Sequence, residues 1–179
     1  MVAATRASQD SRPQAPFVIP PAIADEMQRH ALASYPDECC GLLFTRGERE
    51  VVRAAAMENI QNRLHALDPD SHPRTGRNGF HMDALRVWRE VDAAAGRGER
   101  LLAFYHSHID CGAYFSQEDR DMAAPPPDRM PTYPEIWHVV LACWPDGLRE
   151  ARAFRWDGRD FAAHPLDGFV RGAPLTGTA

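Results

Sequence analysis

Residues 101–124 read LLAFYHSHIDCGAYFSQEDRDMAA, and their order constrains the whole fold. The run 101–108 is apolar and aromatic and follows the polar segment GRGER, which marks it as a strand. Side chains alternate along a strand, so His106 and His108 leave the same face and Ser107 the other. Residues 116–124 open with a serine and carry acidic residues in the first turn, so a short helix capped by Ser116 follows. The glycine-containing turn between them folds Asp119 back beside the two imidazoles. Two histidines, one carboxylate and a water make the open tetrahedral set of catalytic zinc, whereas structural zinc is closed by four protein ligands. Such an ion brings the pKa of its water toward neutrality and polarises a carbonyl. An HxH pair alone is weak evidence, since two packed histidines would give the same spacing. The Ser-x-x-Asp start of the helix strengthens it, and local chemistry goes no further.

On either side the pattern alternates between strands and helices. The clearest helix is 82–96, MDALRVWREVDAAAG, with Leu85, Trp88, Val91 and Ala95 on one face and Gly96 as its stop. Residues 20–38 open on prolines, which suit a helix start. Ile23, Met27, His30 and Ala31 recur at helical spacing, and Tyr35-Pro36 ends the helix. Residues 41–46 and 50–57 form a hairpin, and 136–144 and 148–156 are strands around Pro145-Asp146-Gly147. Residues 61–79, rich in Pro, Asp, Gly and Asn, read as a long mobile loop, and 125–134 as a proline-rich one. Strands mixed with a few helices predict one α/β layer domain over 17–165, between a disordered leader (1–16) and a C-terminal tail (166–179).

Composition narrows the function classes. The 179-residue chain is 44% hydrophobic and 25% charged, as in ordinary globular proteins. A net charge of −5 gives no general attraction to phosphate backbones, so no nucleic-acid partner is expected. No run approaches a membrane span, and the leader lacks the apolar core of a secretory signal, so a cytoplasmic location is expected. Cys39, Cys40, Cys111 and Cys143 fit neither a zinc knuckle nor a disulfide framework. Cys39 and Cys40 read as small buried residues. All 20 basic residues are arginine, which codon bias explains. His65 and His72 fall in the loop, His81 and His138 read as packing residues, and His30 lies in no HExxH motif.

The spacing His106-Ser107-His108, ten residues, then Asp119, with Ser116 three before it, resembles the motif of the JAMM (MPN+) metalloproteases. The upstream element of that family resembles 35-YPDECCGLLF-44, which makes Glu38 its glutamate, and Asn59 and 80-FHMD-83 resemble the segments between. The resemblance spans residues 20–156. It implies a mixed, mainly antiparallel sheet flanked by helices, in layers like those of cytidine deaminases. It also implies one Zn2+ per chain held by His106, His108 and Asp119. Glu38 would be general base and then acid, and Ser116 would help stabilise the oxyanion. The implied substrate is a peptide or isopeptide bond after the C-terminal Gly-Gly of a ubiquitin-fold carrier of the ThiS/MoaD type or its conjugates. The enzyme would be a monomer or homodimer. Loops 61–79 and 125–134 are the candidates for gripping the tail. Two departures, Ile109 and Phe115 where bacterial members often have proline, affect loop shape, and Asp110 and Cys111 come close to the site. The rival reading is a non-catalytic MPN-type scaffold. A deaminase is disfavoured, because H-x-E…P-C-x-x-C is absent.

Overall fold

A computed structural model describes residues 16–166. The expected leader and tail lie outside these residues, apart from Pro16 and Leu166. The described residues form one six-stranded mixed sheet with four α-helices, in the order α1 (Pro21–Ser34), β1 (Cys40–Thr45), β2 (Arg53–Met57), α2 (Gln61–Leu67), α3 (Ala84–Gly96), β3 (Arg100–Ile109), α4 (Gln117–Ala123), β4 (Trp137–Trp144), β5 (Gly147–Trp156) and β6 (Phe161–Pro165). The strand order is β2-β1-β3-β4-β5-β6, and every pair is antiparallel except β3 and β4.

That single parallel pair has a structural consequence. Antiparallel neighbours can be joined by a tight turn, but parallel ones need a crossover connection. Here the crossover is residues 110–136, which carry α4 and the proline-rich tract. It leaves from the carboxyl end of β3, just past His108 and Ile109.

The two faces of the sheet divide the helices. On one face Met27 and Ala31 of α1 pack with Leu43, Tyr105, Val139 and Leu141, all buried. On the other face α3 lies on Leu42 and Phe44, and Ala123 and Ala124 pack with Val140, Ala142 and Phe154. By strand alternation His106 and His108 belong to this second face. The first face is sealed at Gly41, where an added Cβ would lie 2.3 Å from the Tyr105 ring and 2.5 Å from the Ala55 carbonyl. The Tyr105 hydroxyl in turn meets His30 Nδ1 at 2.9 Å.

The structure departs from the sequence expectations at four points. Residues 61–79 are not one long loop. They hold α2 and a 3-10 turn (Gly76–Asn78), tied down by hydrogen bonds from Gln61 Nε2 to Arg74 O (2.8 Å) and from Gly76 N to Asn62 Oδ1 (2.7 Å). Helix α3 turns a different face inward: Val87, Val91 and Ala94 meet the sheet, while Leu85 and Trp88 are exposed. Ala94 is fully buried against Leu42 and Phe44, and its small side chain lets the helix approach closely. Gly96 is still helical, and the chain reverses at Gly98, whose φ is +68°. Finally, β6 was not anticipated, because its only buried residue is Phe161.

Candidate active site

The carboxyl end of β3 and the first turn of α4 bring three donor atoms together. His106 Nε2 lies 3.2 Å from His108 Nε2 and 3.2 Å from Asp119 Oδ1, and His108 Nε2 lies 3.4 Å from Asp119 Oδ2. All three residues are buried, and they are the only group of three or more such ligands among the described residues. Tetrahedral coordination with zinc–ligand bonds of about 2.0–2.1 Å separates neighbouring donors by about 3.3 Å. The donor set therefore fits a small divalent cation without rearrangement.

Each ligand is held from behind. His108 Nδ1 faces the Gly112 carbonyl at 3.3 Å, and donating there leaves the Nε2 lone pair for a metal. The His106 ring stacks on Phe80 with centroids 4.5 Å apart. Asp119 is fixed by a capping box: its Oδ2 accepts from Ser116 N (2.7 Å) and from the Ser116 hydroxyl (2.6 Å), and its own N–H donates to Ser116 Oγ (3.1 Å). The serine three residues before the aspartate is thus the N-cap that starts α4 and aims the carboxylate. Burial pushes the Asp119 carboxyl up. The His106 charge and hydrogen bonds from His106, His108 and Ser116 outweigh that and hold it well below the usual carboxylate range.

Glu38 is 6% exposed and lines a polar cleft with His108, Ser116 and Asp119. Burial, then the Asp119 charge, push its carboxyl from 4.5 up to about 9, against the pull of Arg74. A desolvated carboxyl with a raised pKa beside such a donor set has the chemistry to exchange a proton. Its backbone is fastened on both sides, Glu38 N–H donating to Gly76 O (2.7 Å) and Asn59 Nδ2 to Glu38 O (2.9 Å).

The structure therefore brings Glu38, His106, His108, Ser116 and Asp119 to one place. Asp110 and Cys111 line or border the cleft but stand outside the donor cluster. Asp110, at φ +56°, accepts from the Tyr35 hydroxyl and from Arg77 (3.0 Å) instead. Arg77 and Arg74, the latter paired with Glu118 at 3.1 Å, rim the cleft and had no sequence signal of their own. Asn59 does more than its spacing indicated, since Nδ2 also donates to Gly79 O and Oδ1 accepts from Gln61 N and His81 N. His138, expected as a packing residue, sits among the Phe104, Phe115 and Phe161 rings. It lines an apolar cavity with His106 and Asp119, and burial brings its imidazole down to about 4. The cysteines are all free, and Cys39, Cys40 and Cys143 are buried. No described helix is long and apolar enough to cross a membrane.

With this geometry in place, comparison with known proteins is informative. Residues 20–157 match the family described as prokaryotic homologs of the JAB domain. The chain is 26% identical over 140 residues to the desampylase of Haloferax volcanii, covering 78% of this chain and 84% of that one. It is 27% identical over 140 residues to the CysO-cysteine peptidase of Mycobacterium tuberculosis, covering 78% and 82%. Among solved structures, a protein of Desulfitobacterium hafniense superposes with a TM-score of 0.64 at 21% identity, over 84% of this chain and 90% of that one. One from Salinibacter ruber gives 0.55 at 24% identity, over 89% and 94%. These two likenesses show the fold, and the family match spans the strand, crossover and helix that build the site. The chain belongs to the prokaryotic homologs of the JAB domain.

Proposed function

We propose that this protein is a zinc-dependent peptidase or isopeptidase that cuts after the C-terminal Gly-Gly of a ubiquitin-fold carrier protein. The observation that carries this is the buried donor triad at mutual distances of 3.2–3.4 Å, open toward a cleft that also holds Glu38. The names of the relatives, a desampylase and a CysO-cysteine peptidase, support cleavage of conjugates or of an extended carrier. When bound by His106 Nε2, His108 Nε2 and Asp119, zinc supplies Lewis acidity to the scissile carbonyl and to water.

The protein's own groups do the rest. Glu38, held as the carboxylate when a cation's charge lies beside it, takes the proton of the attacking water and returns it to the leaving amine. Its anchoring through Asn59 and Gly76 keeps the carboxyl in the cleft. Ser116 is the proposed oxyanion donor: its hydroxyl, now on Asp119 Oδ2, can rotate about Cβ–Oγ toward the substrate while its backbone N–H keeps Asp119 in place. Arg74, Arg77, Asn78 and Gly79 line the cleft, which supports the segment 74–79 as the grip on the glycyl tail. Only residues without side chains let a backbone pass so close to the ligands.

The test is cleavage of a carrier–Gly-Gly–reporter fusion by wild type and Glu38→Gln, with zinc content measured on both. The expected result is about one zinc per chain in each, and cleavage lowered at least about 10²-fold in the variant. Equal cleavage by both proteins would rule out Glu38 as the proton-transfer group.

A further inference from the structure

Two hollows meet at the donor triad, and they differ in chemistry. The polar cleft holds Glu38, the arginine rim, His108 and Ser116. The other is a cavity of about 180 Å³ whose walls include Phe80, Met82, Phe104, Met122, Tyr133 and His138. They share Phe80, Asp119 and Met122, so a chain running from one hollow to the other crosses the triad. Apart from His106 and Asp119 themselves, no acidic or arginine side chain lines the second hollow. Its size suits a side chain, since an apolar cavity of about 150 Å³ accommodates a benzene ring.

We infer that this apolar cavity receives the side chain of the residue directly after the Gly-Gly pair, and that this residue is leucine- or phenylalanine-like, not cysteine or an ε-linked lysine. The inference rests on the peptidase reading above. The cavity walls include two members of the triad, so its occupant must hang from a residue bordering the scissile bond. In an extended chain successive residues lie about 3.3–3.6 Å apart, which puts the residue before the glycines about 7 Å from the glycine at the scissile bond. Of the two bordering residues, the glycine has no side chain to place. The pocket therefore belongs to the leaving side. A cysteine would fill only part of it. A lysine linked through Nζ would need the cavity to be a passage for its stem to the attached protein, and Phe104 and His138 rise from the sheet as its back wall. The most suitable substrate is a carrier precursor that ends in Gly-Gly followed by an apolar residue.

The experiment compares kcat/KM for carrier fusions in which Gly-Gly is followed by Leu, Phe, Cys or Ser, together with a glycyl isopeptide to lysine. Burial of a leucine or phenylalanine side chain predicts a preference of about ten- to hundredfold over serine. Thr132→Phe, at the cavity mouth and outside the proton-transfer and ligand groups, should erase that preference while the serine fusion is still cut. An independent readout is calorimetric binding of Gly-Gly-Leu-Ala and Gly-Gly-Ser-Ala peptides to Glu38→Gln protein, with the leucine peptide about tenfold tighter. Equal rates for Ser, Cys and Leu, or faster cleavage of the isopeptide, would overturn the pocket assignment and leave the peptidase reading standing. Failure to cut any of the five, with equal peptide binding, would overturn both.

Discussion

Asn59 spends both of its amide hydrogens and its carbonyl oxygen on backbone, and two of its four partners, Glu38 O and Gly79 O, flank the polar cleft. It touches neither the donor triad nor the reacting atoms, so it acts by positioning Glu38. Asn59→Asp removes both Nδ2 donors at nearly constant shape. Because a misplacement of about 1 Å can cost about 10²-fold, kcat should fall by roughly that factor while zinc content stays at wild-type level. A fall in zinc content instead would make Asn59 a structural support of the ligands. That His106, His108 and Asp119 come together was legible from spacing, because period-two alternation relates the two histidines and the Ser116–Asp119 capping box fixes the aspartate, while their reading as ligands came from the family resemblance. The contributions of Asn59 and of Arg74 and Arg77 were not, because a side chain's backbone partners and its place on a cleft rim depend on tertiary contacts that carry no local period.

Among the elements, the β1–β3 seam is the least tolerant of change. Gly41 pairs with Tyr105, and the phenol ring occupies the space where any Cβ would be. Gly41→Ala must push Tyr105 or the Ala55 carbonyl aside, and overpacking of this kind costs about 1–3 kcal/mol. Thermal denaturation should show a melting temperature lower by roughly 2–12 °C, given about 2–4 °C per kcal/mol for a chain of this size. An unchanged melting temperature would mean the seam can breathe. Element type was readable wherever the period was strong, as for α1, the β1–β2 hairpin and β3. Helix α3 was readable as a helix too, but its inward face was not: Val91 lies on both candidate faces, Leu85 and Trp88 are exposed, and Val87 and Ala94 face the sheet. The bulky Leu85 and Trp88 mark one face in the sequence, whereas close approach to Leu42 and Phe44 favours the small Ala94. Residues 61–79 look like a loop because their order comes from tertiary hydrogen bonds such as those of Gln61 and Asn62.

For the whole molecule, the buried titratable groups tie stability to pH. With metal removed, the folded state holds the Glu38 proton up to about pH 9, whereas the ordinary value is 4.5. The unfolded chain thus binds fewer protons across this window, so the Glu38 contribution to stability is lost as pH rises. His138, brought down from 6.5 to about 4, acts in the opposite sense but is complete by about pH 7. Between pH 7 and 9, the unfolding free energy of the metal-free protein from urea titration should therefore fall, by up to about 1.4 kcal/mol per pH unit. Glu38→Gln should remove that slope, and parallel curves for the two proteins would show that Glu38 ionises in the folded state well below pH 9. The central claim, that His106, His108 and Asp119 hold the ion on which cleavage depends, is tested most directly by titrating zinc into chelator-stripped protein while following cleavage of a carrier–Gly-Gly fusion. No cleavage is expected without metal, with full recovery at about one equivalent and none in His108→Ala. Cleavage that persists in the stripped protein, or returns in His108→Ala at one equivalent, would contradict that claim.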